Sequence, residues 1–139
     1  MASPDIDRLD SYLRQVIAAV DAWSAAIMVS SEDGQILVPL VSVDFPAGWS
    51  TMYNALDSTT LVGRAYITGE TQVYAAGSIA QPSGSTESHF MSAIAAVPVQ
   101  KADTLIATVE IIKDQVGANF SEEDVILLEK VVKELAEFI

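Results

Sequence analysis

Apolar residues recur along this chain with two periods, and the switches between them mark the elements. Ile6, Leu9, Leu13, Val16, Ile17 and Val20 stand at helical spacing and form one stripe. Ahead of them Ser3-Pro4-Asp5 offers a capping hydroxyl, a proline whose φ is already helical, and an acid at the favourable end of the helix dipole. A helix is therefore expected from there to about Asp21. The period then drops to two. Residues 23–30 and 35–43 are rich in apolar and β-branched side chains and flank Ser31-Glu32-Asp33-Gly34, whose Asp-Gly pair tolerates positive φ, so they read as a hairpin. Ala25 and Ile27 alternate with Ala26 and Met28, which makes both faces of the first strand apolar and places it inside a sheet. Ile36 to Val43 has the same character and the same expected place.

Pro46 and Gly48 end that pattern, since proline has no amide to give a ladder. A short helical piece is expected around Met52 to Leu56. Ser58-Thr59-Thr60 then provides a cap for Leu61, Val62, Ala65 and Tyr66, a helix of at most about three turns that Gly69 stops. Thr71 to Ala75 reads as a brief strand. Residues 76–88 combine Gly77, Pro82 and Gly84 with serines and read as a loop. Two long strands, His89 to Val99 and Thr104 to Ile112, are joined by the polar turn Gln100-Lys101-Ala102-Asp103. At the carboxyl end Ser121 and Asp124 stand three residues apart as in a capping box, with Phe120 and Val125 as the apolar staple. Val125, Leu128, Val132 and Leu135 continue as a stripe, widened by Ile126, Leu127, Val131, Phe138 and Ile139. Layer rules turn this order into an α+β domain spanning residues 1–139, an antiparallel sheet covered by the terminal helices.

Composition narrows the partners. Seven basic against nineteen acidic residues give a formal charge of −12, which repels phosphate backbones and anionic bilayers; neither nucleic acid nor a membrane is an expected partner. The longest apolar runs are strand-length, well below the roughly 20 residues a membrane helix needs. No basic leader with an apolar run opens the chain, so a cytoplasmic protein is expected. The absence of cysteine removes disulfides, thiolate metal sites and thiol chemistry.

Catalytic patterns are lacking as well. Ser85, Ser88 and His89 have no strand-turn-helix framing for a nucleophile. Gly63, Gly77 and Gly84 do not make a phosphate-cradling loop with its lysine. The acids at Asp5, Asp7 and Asp10 and at Glu122, Glu123 and Asp124 are explained by helix starts, so no metal site is assigned. The chain is expected not to be an enzyme. Trp49, Tyr53, Tyr66, Tyr74 and Phe90, with His89 as the sole imidazole, are the candidates to line a small-ligand site, since such sites combine apolar walls with a few polar groups. Ordinary core packing is the competing reading for each of these aromatics.

Leu61 to Tyr74, the run Ser92 to Val99, the strand Thr104 to Ile112 and the start Asn119-Phe120-Ser121-Glu122-Glu123-Asp124 together resemble the GAF domain family in order and spacing. The resemblance implies a central antiparallel sheet of five or six strands, terminal helices on one face, and a small-molecule pocket on the other, in a regulatory or sensory domain. It implies non-covalent ligand binding without naming the ligand or a cofactor. It also implies a homodimer through the terminal helices, expected here through Ile6, Leu9, Leu13, Val131, Leu135 and Phe138. The alternative is an interaction or scaffold domain with a filled pocket. The family's sulfoxide-reducing and common bilin-holding branches use cysteines, which this chain lacks. Of the charged set recurrent in its cyclic-nucleotide branch, Phe120 and Asp124 are present, Val125 replaces the Glu, and Lys113 is preceded by Ile112 where Asn is expected. Phe120 and Asp124 are accordingly read as helix-start features.

Overall fold

The computed structural model describes residues 3–44, 56, 60–75, 93–115 and 117–139. Except for Leu56, the helical piece expected around Met52 to Leu56 lies outside them, as does the loop over 76–88. Helix α1 spans Ile6–Val20 and is capped by Asp5, whose carboxylate accepts from the Arg8 amide at 3.1 Å. Ser3 was the expected cap. Asp5 displaces it because its oxygen reaches the third amide of the helix and carries charge at the positive end of the dipole. Asp21 closes the helix in the left-handed conformation, φ 57°.

Strands β1 (Ser24–Ser30) and β2 (Leu37–Val43) follow, then helix α2 (Leu61–Thr68), β3 (Gln72–Ala75), β4 (Ala93–Lys101), β5 (Thr104–Lys113) and helix α3 (Glu122–Leu135), which ends in a 3-10 turn over Ala136–Phe138. The described strands form one antiparallel sheet in the order β2-β1-β5-β4-β3. β1 is interior, as its two apolar faces foretold. β2 is outermost among the described strands, against expectation. Pro39 has no amide to donate, and the β1–β2 register slips between Ile27 and Met28, leaving Leu40 as the extra residue of a bulge. The connection between these strands is held by Asp33, which accepts from the Ser31 hydroxyl at 2.7 Å and the Gln35 amide at 3.1 Å. Those bonds hold the Asp33 acid below its ordinary pKa.

Both terminal helices lie on one face of the sheet. Leu9, Leu13 and Val16 of α1 and Leu128, Val132 and Leu135 of α3 pack in one core with Ile27, Val97, Val109 and Ile111. The chain ends are joined there: the Asp5 amide donates to the Phe138 carbonyl at 2.9 Å, and the Arg8 guanidinium sits 4.7 Å from the centre of the Phe138 ring. The capping box at Ser121 and Asp124 forms in both directions. This packing bears on pairing. Leu9, Leu13 and Leu135 have no exposure and are spent on their own sheet, while Ile6 is 45% exposed and Val131 and Phe138 are half-buried. Among the described residues no helix is long and apolar enough to cross a membrane.

Candidate functional site

β5 is the middle strand, and its residues Thr108 to Ile112 have a neighbour on both sides. Those turned away from α1 and α3 are Thr108, Glu110 and Ile112. Glu110 stands between Ala26 of β1 and Ala96 of β4, and Thr108 between Met28 and Pro98. Ile112 stands between Ser24 and Ile94, and Ile94 in turn faces Tyr74 of β3. The result is one row running Ser24, Ile112, Ile94, Tyr74, and beside it a row with a carboxylate between two alanines. Ser24 and Thr108 have no exposure, Glu110 has 2% and Tyr74 has 3%.

Helix α2 closes over part of this face. The Thr60 hydroxyl accepts from the Gly63 amide at 3.0 Å and starts the helix, and Gly69 at φ 72° stops it, as the sequence indicated. Its buried side carries Val62, Gly63 and Ala65, and it meets Ala26 and Ala96 on the sheet. Small residues on both surfaces, Gly63 and Ala65 on the helix and Ala26 and Ala96 on the sheet, let the helix lie close. The Thr108 hydroxyl then donates to the Val62 carbonyl across a long 3.5 Å hydrogen bond.

That bond satisfies Thr108. Glu110 also has an interaction within the protein. Ser24 differs: its hydroxyl is buried and has no hydrogen-bond partner among the described residues. Buried hydroxyls are nearly always bonded, so this one is open to a partner from outside the protein, a water or a ligand atom.

Of the residues put forward from sequence, Tyr66 and Tyr74 fall on this face. Tyr74 is buried with Ile94 and Ile112, and Tyr66 is half-buried against the Ala26, Val62 and Ala96 cluster, with Leu61 packing against both groups. Trp49, Tyr53, His89 and Phe90 lie outside the described residues. Trp23, just ahead of β1, packs on the Tyr74, Ile94 and Ile112 cluster, and its amide donates to the Ile112 carbonyl at 2.8 Å. Ser24, Thr108 and Glu110 were not singled out from sequence. Glu110 had a signal, as the one charge inside the apolar run from Leu105 to Ile112.

Two other features lie away from this face. An open groove of about 590 Å³ runs between the Gly69 turn, the end of β4 and α3, where the Thr71 hydroxyl donates to Glu129 at 2.6 Å. It contains none of the proposed ligand residues. At the far end of β5, Lys113 is nearly buried; its ammonium donates to the Asn119 carbonyl at 2.9 Å and to Asp124 at 3.2 Å, and lies 4.7 Å from the centre of the Phe120 ring.

Neither a family model nor a curated protein sequence matches this chain. Solved structures do. The GAF domain of an Acinetobacter phosphoenolpyruvate-protein phosphotransferase superposes with a TM-score of 0.76 at 18% identity, over 99% of this chain and 82% of that one. A GAF domain/HD domain protein from Geobacter sulfurreducens gives 0.73 at 17% identity, over 97% and 92%. The type II free methionine-R-sulfoxide reductase of Thermoplasma acidophilum gives 0.74 at 14% identity, over 96% and 90%. The chain has the GAF fold. Its sheet of five described strands and its terminal helices on one face agree with the architecture that the sequence resemblance implied. In this GAF frame Leu61 to Tyr74 forms α2, the Gly69 turn and most of β3, and Asn119 to Asp124 leads into α3. Asp124 does more than start a helix: it closes the capping box and also holds Lys113, which fastens the end of β5 to the start of α3.

Proposed function

We propose that this chain is a cytoplasmic regulatory or sensory domain that holds a small molecule non-covalently on the sheet face opposite α1 and α3. The observation that carries the reading is the buried hydroxyl of Ser24, unbonded among the described residues, on the same face as Glu110 and Thr108 and set among apolar side chains. Polar groups buried among apolar walls are the ordinary makeup of a ligand site. Tyr66 and Tyr74 would line it, and Trp49, Tyr53, His89 and Phe90 are proposed to complete it. The fold also serves enzymes, as the Thermoplasma reductase illustrates. We assign no catalysis to this chain, whose lack of cysteine removes thiol chemistry.

Native mass spectrometry of gently purified protein tests the reading. The expected result is an adduct of a few hundred daltons that is lost on unfolding. A bare mass in every preparation, with no small molecule able to perturb the amides around Tyr74, would leave the second reading, a scaffold whose interior is filled. The near-complete burial of Tyr74, Ile94 and Ile112 favours that alternative. Pairing of two copies along the outer sides of α1 and α3, through Ile6, Val131 and Phe138, belongs to the same proposal. Sedimentation at tens of micromolar should show a dimer; a monomer there rejects it.

A further inference from the structure

Resting on the reading that this sheet face holds a ligand, we infer that the ligand presents N–H donors, as an amine, amidine or amide does, to Glu110 and Ser24 from a compact apolar body. In the β1–β5 register Ser24 and Glu110 are diagonal neighbours on one face, a relation that sets them about 7–8 Å apart. A group with two or three N–H bonds can bridge such a pair. A carboxylate is an acceptor with about four lone-pair sites, and Glu110, which has an interaction within the protein, is assigned to accept from the ligand as well. The Ser24 hydroxyl supplies a second acceptor, unused among the described residues.

The charge inventory points the same way. A ligand carboxylate or phosphate on this face would need a basic residue, and apart from the proposed His89 none of the chain's basic residues is buried on it. Six of the seven lysines and arginines are exposed, and the seventh, Lys113, is committed to Asp124. An anion would also face Glu110 where water screens little. Beyond Ser24 the row continues through Ile112 and Ile94 to Tyr74, an apolar floor suited to the body of the ligand.

Benzamidine and benzoate test this, having the same ring and opposite charge. The full chain, refolded from denaturant to strip retained molecules, is titrated with each while amide NMR follows Ala26, Ala96 and Ile112. Benzamidine should shift these amides saturably and benzoate should not. Glu110→Gln should weaken benzamidine at least about tenfold, and Ser24→Ala about threefold to tenfold. Each variant is first shown to keep the wild-type amide pattern, and Ser24→Ala carries the test if Glu110→Gln unfolds. Benzoate binding as well as benzamidine on this face would overturn the donor class and leave the ligand reading standing. If neither compound perturbs the face, both fall. Benzamidine affinity unchanged in the variants would also overturn the assignment to Ser24 and Glu110.

Discussion

Replacing Ser24 by alanine should make the ligand-free protein more stable. The side chain has no exposure and its hydroxyl no hydrogen-bond partner among the described residues, so folding strips it of water without return. Leaving such a group unsatisfied costs about 1–3 kcal/mol. Alanine removes that cost and leaves an oxygen-sized void; at about 24 cal/mol per Å³ and roughly 10 Å³, the void costs about 0.25 kcal/mol. Ser24 is the first residue of β1, where neither residue is a strong strand former, so propensity contributes little. The net gain is about 0.75–2.75 kcal/mol, which for a chain of this size raises the melting midpoint by about 2–11 °C. Urea and thermal unfolding of protein refolded from denaturant measure it, with an unchanged m-value showing that the same transition is compared. A loss of stability of similar size would mean that the hydroxyl is bonded in the folded protein, and the case for an awaiting ligand would lose its first support.

The Lys113 ammonium has two hydrogen bonds and an aromatic ring beneath it. Lys113→Met should cost about 2–3 kcal/mol in urea unfolding, below the range for fully buried pairs because Asp124 keeps some exposure and its bond from the Ser121 amide; a change under about 0.5 kcal/mol would refute the fastening role. Ala102 and Asp103 both sit at positive φ, 52° and 66°, in the turn between β4 and β5. Ala102→Asn with Asp103→Gly suits that turn and should stabilise by about 1–2 kcal/mol, read as a raised melting midpoint; a lowered midpoint would contradict the turn geometry. Asp33 titrates below its ordinary value, so its support of the β1–β2 connection is complete above about pH 3.9 and is lost as pH falls through its lower folded value. Carboxyl NMR should show that low titration, and Ser31→Ala should raise it; an unmoved midpoint would remove the Ser31 bond as its cause.

What the sequence disclosed depended on how far apart the cooperating residues lie. The stripe of α1, the Ser121 and Asp124 capping box, and the Thr60 and Gly69 limits of α2 are local patterns, and each stands in the structure. β2 was misplaced because an apolar run looks the same at an edge as inside; Pro39 was the clue, since a proline inside a strand cannot feed a neighbour on its amide side. Pairing of Ala25 with Ile111 joins distant segments, and no periodicity in either one announces it. The same reason hid the polar residues. A serine opening a strand and a glutamate within one read as a solvent face until β1, β4 and α2 close around them. Tyr74 could be put forward from its aromatic ring alone, whereas the bond of Lys113 to Asp124 needed the approach of β5 to the start of α3.

β5 belongs to two interiors at once. Ala107, Val109 and Ile111 supply the one under the terminal helices, and Thr108, Glu110 and Ile112 supply the other. A strand exposed on one face can slip by a residue and lose only one set of contacts. Here a single inserted or deleted residue would drive Glu110 among Leu128, Val132 and Ile27 and turn Val109 toward the alanines, spoiling both interiors together. Sequence change along this strand is therefore confined to replacement in place, and variation in length has to fall in the connections outside it.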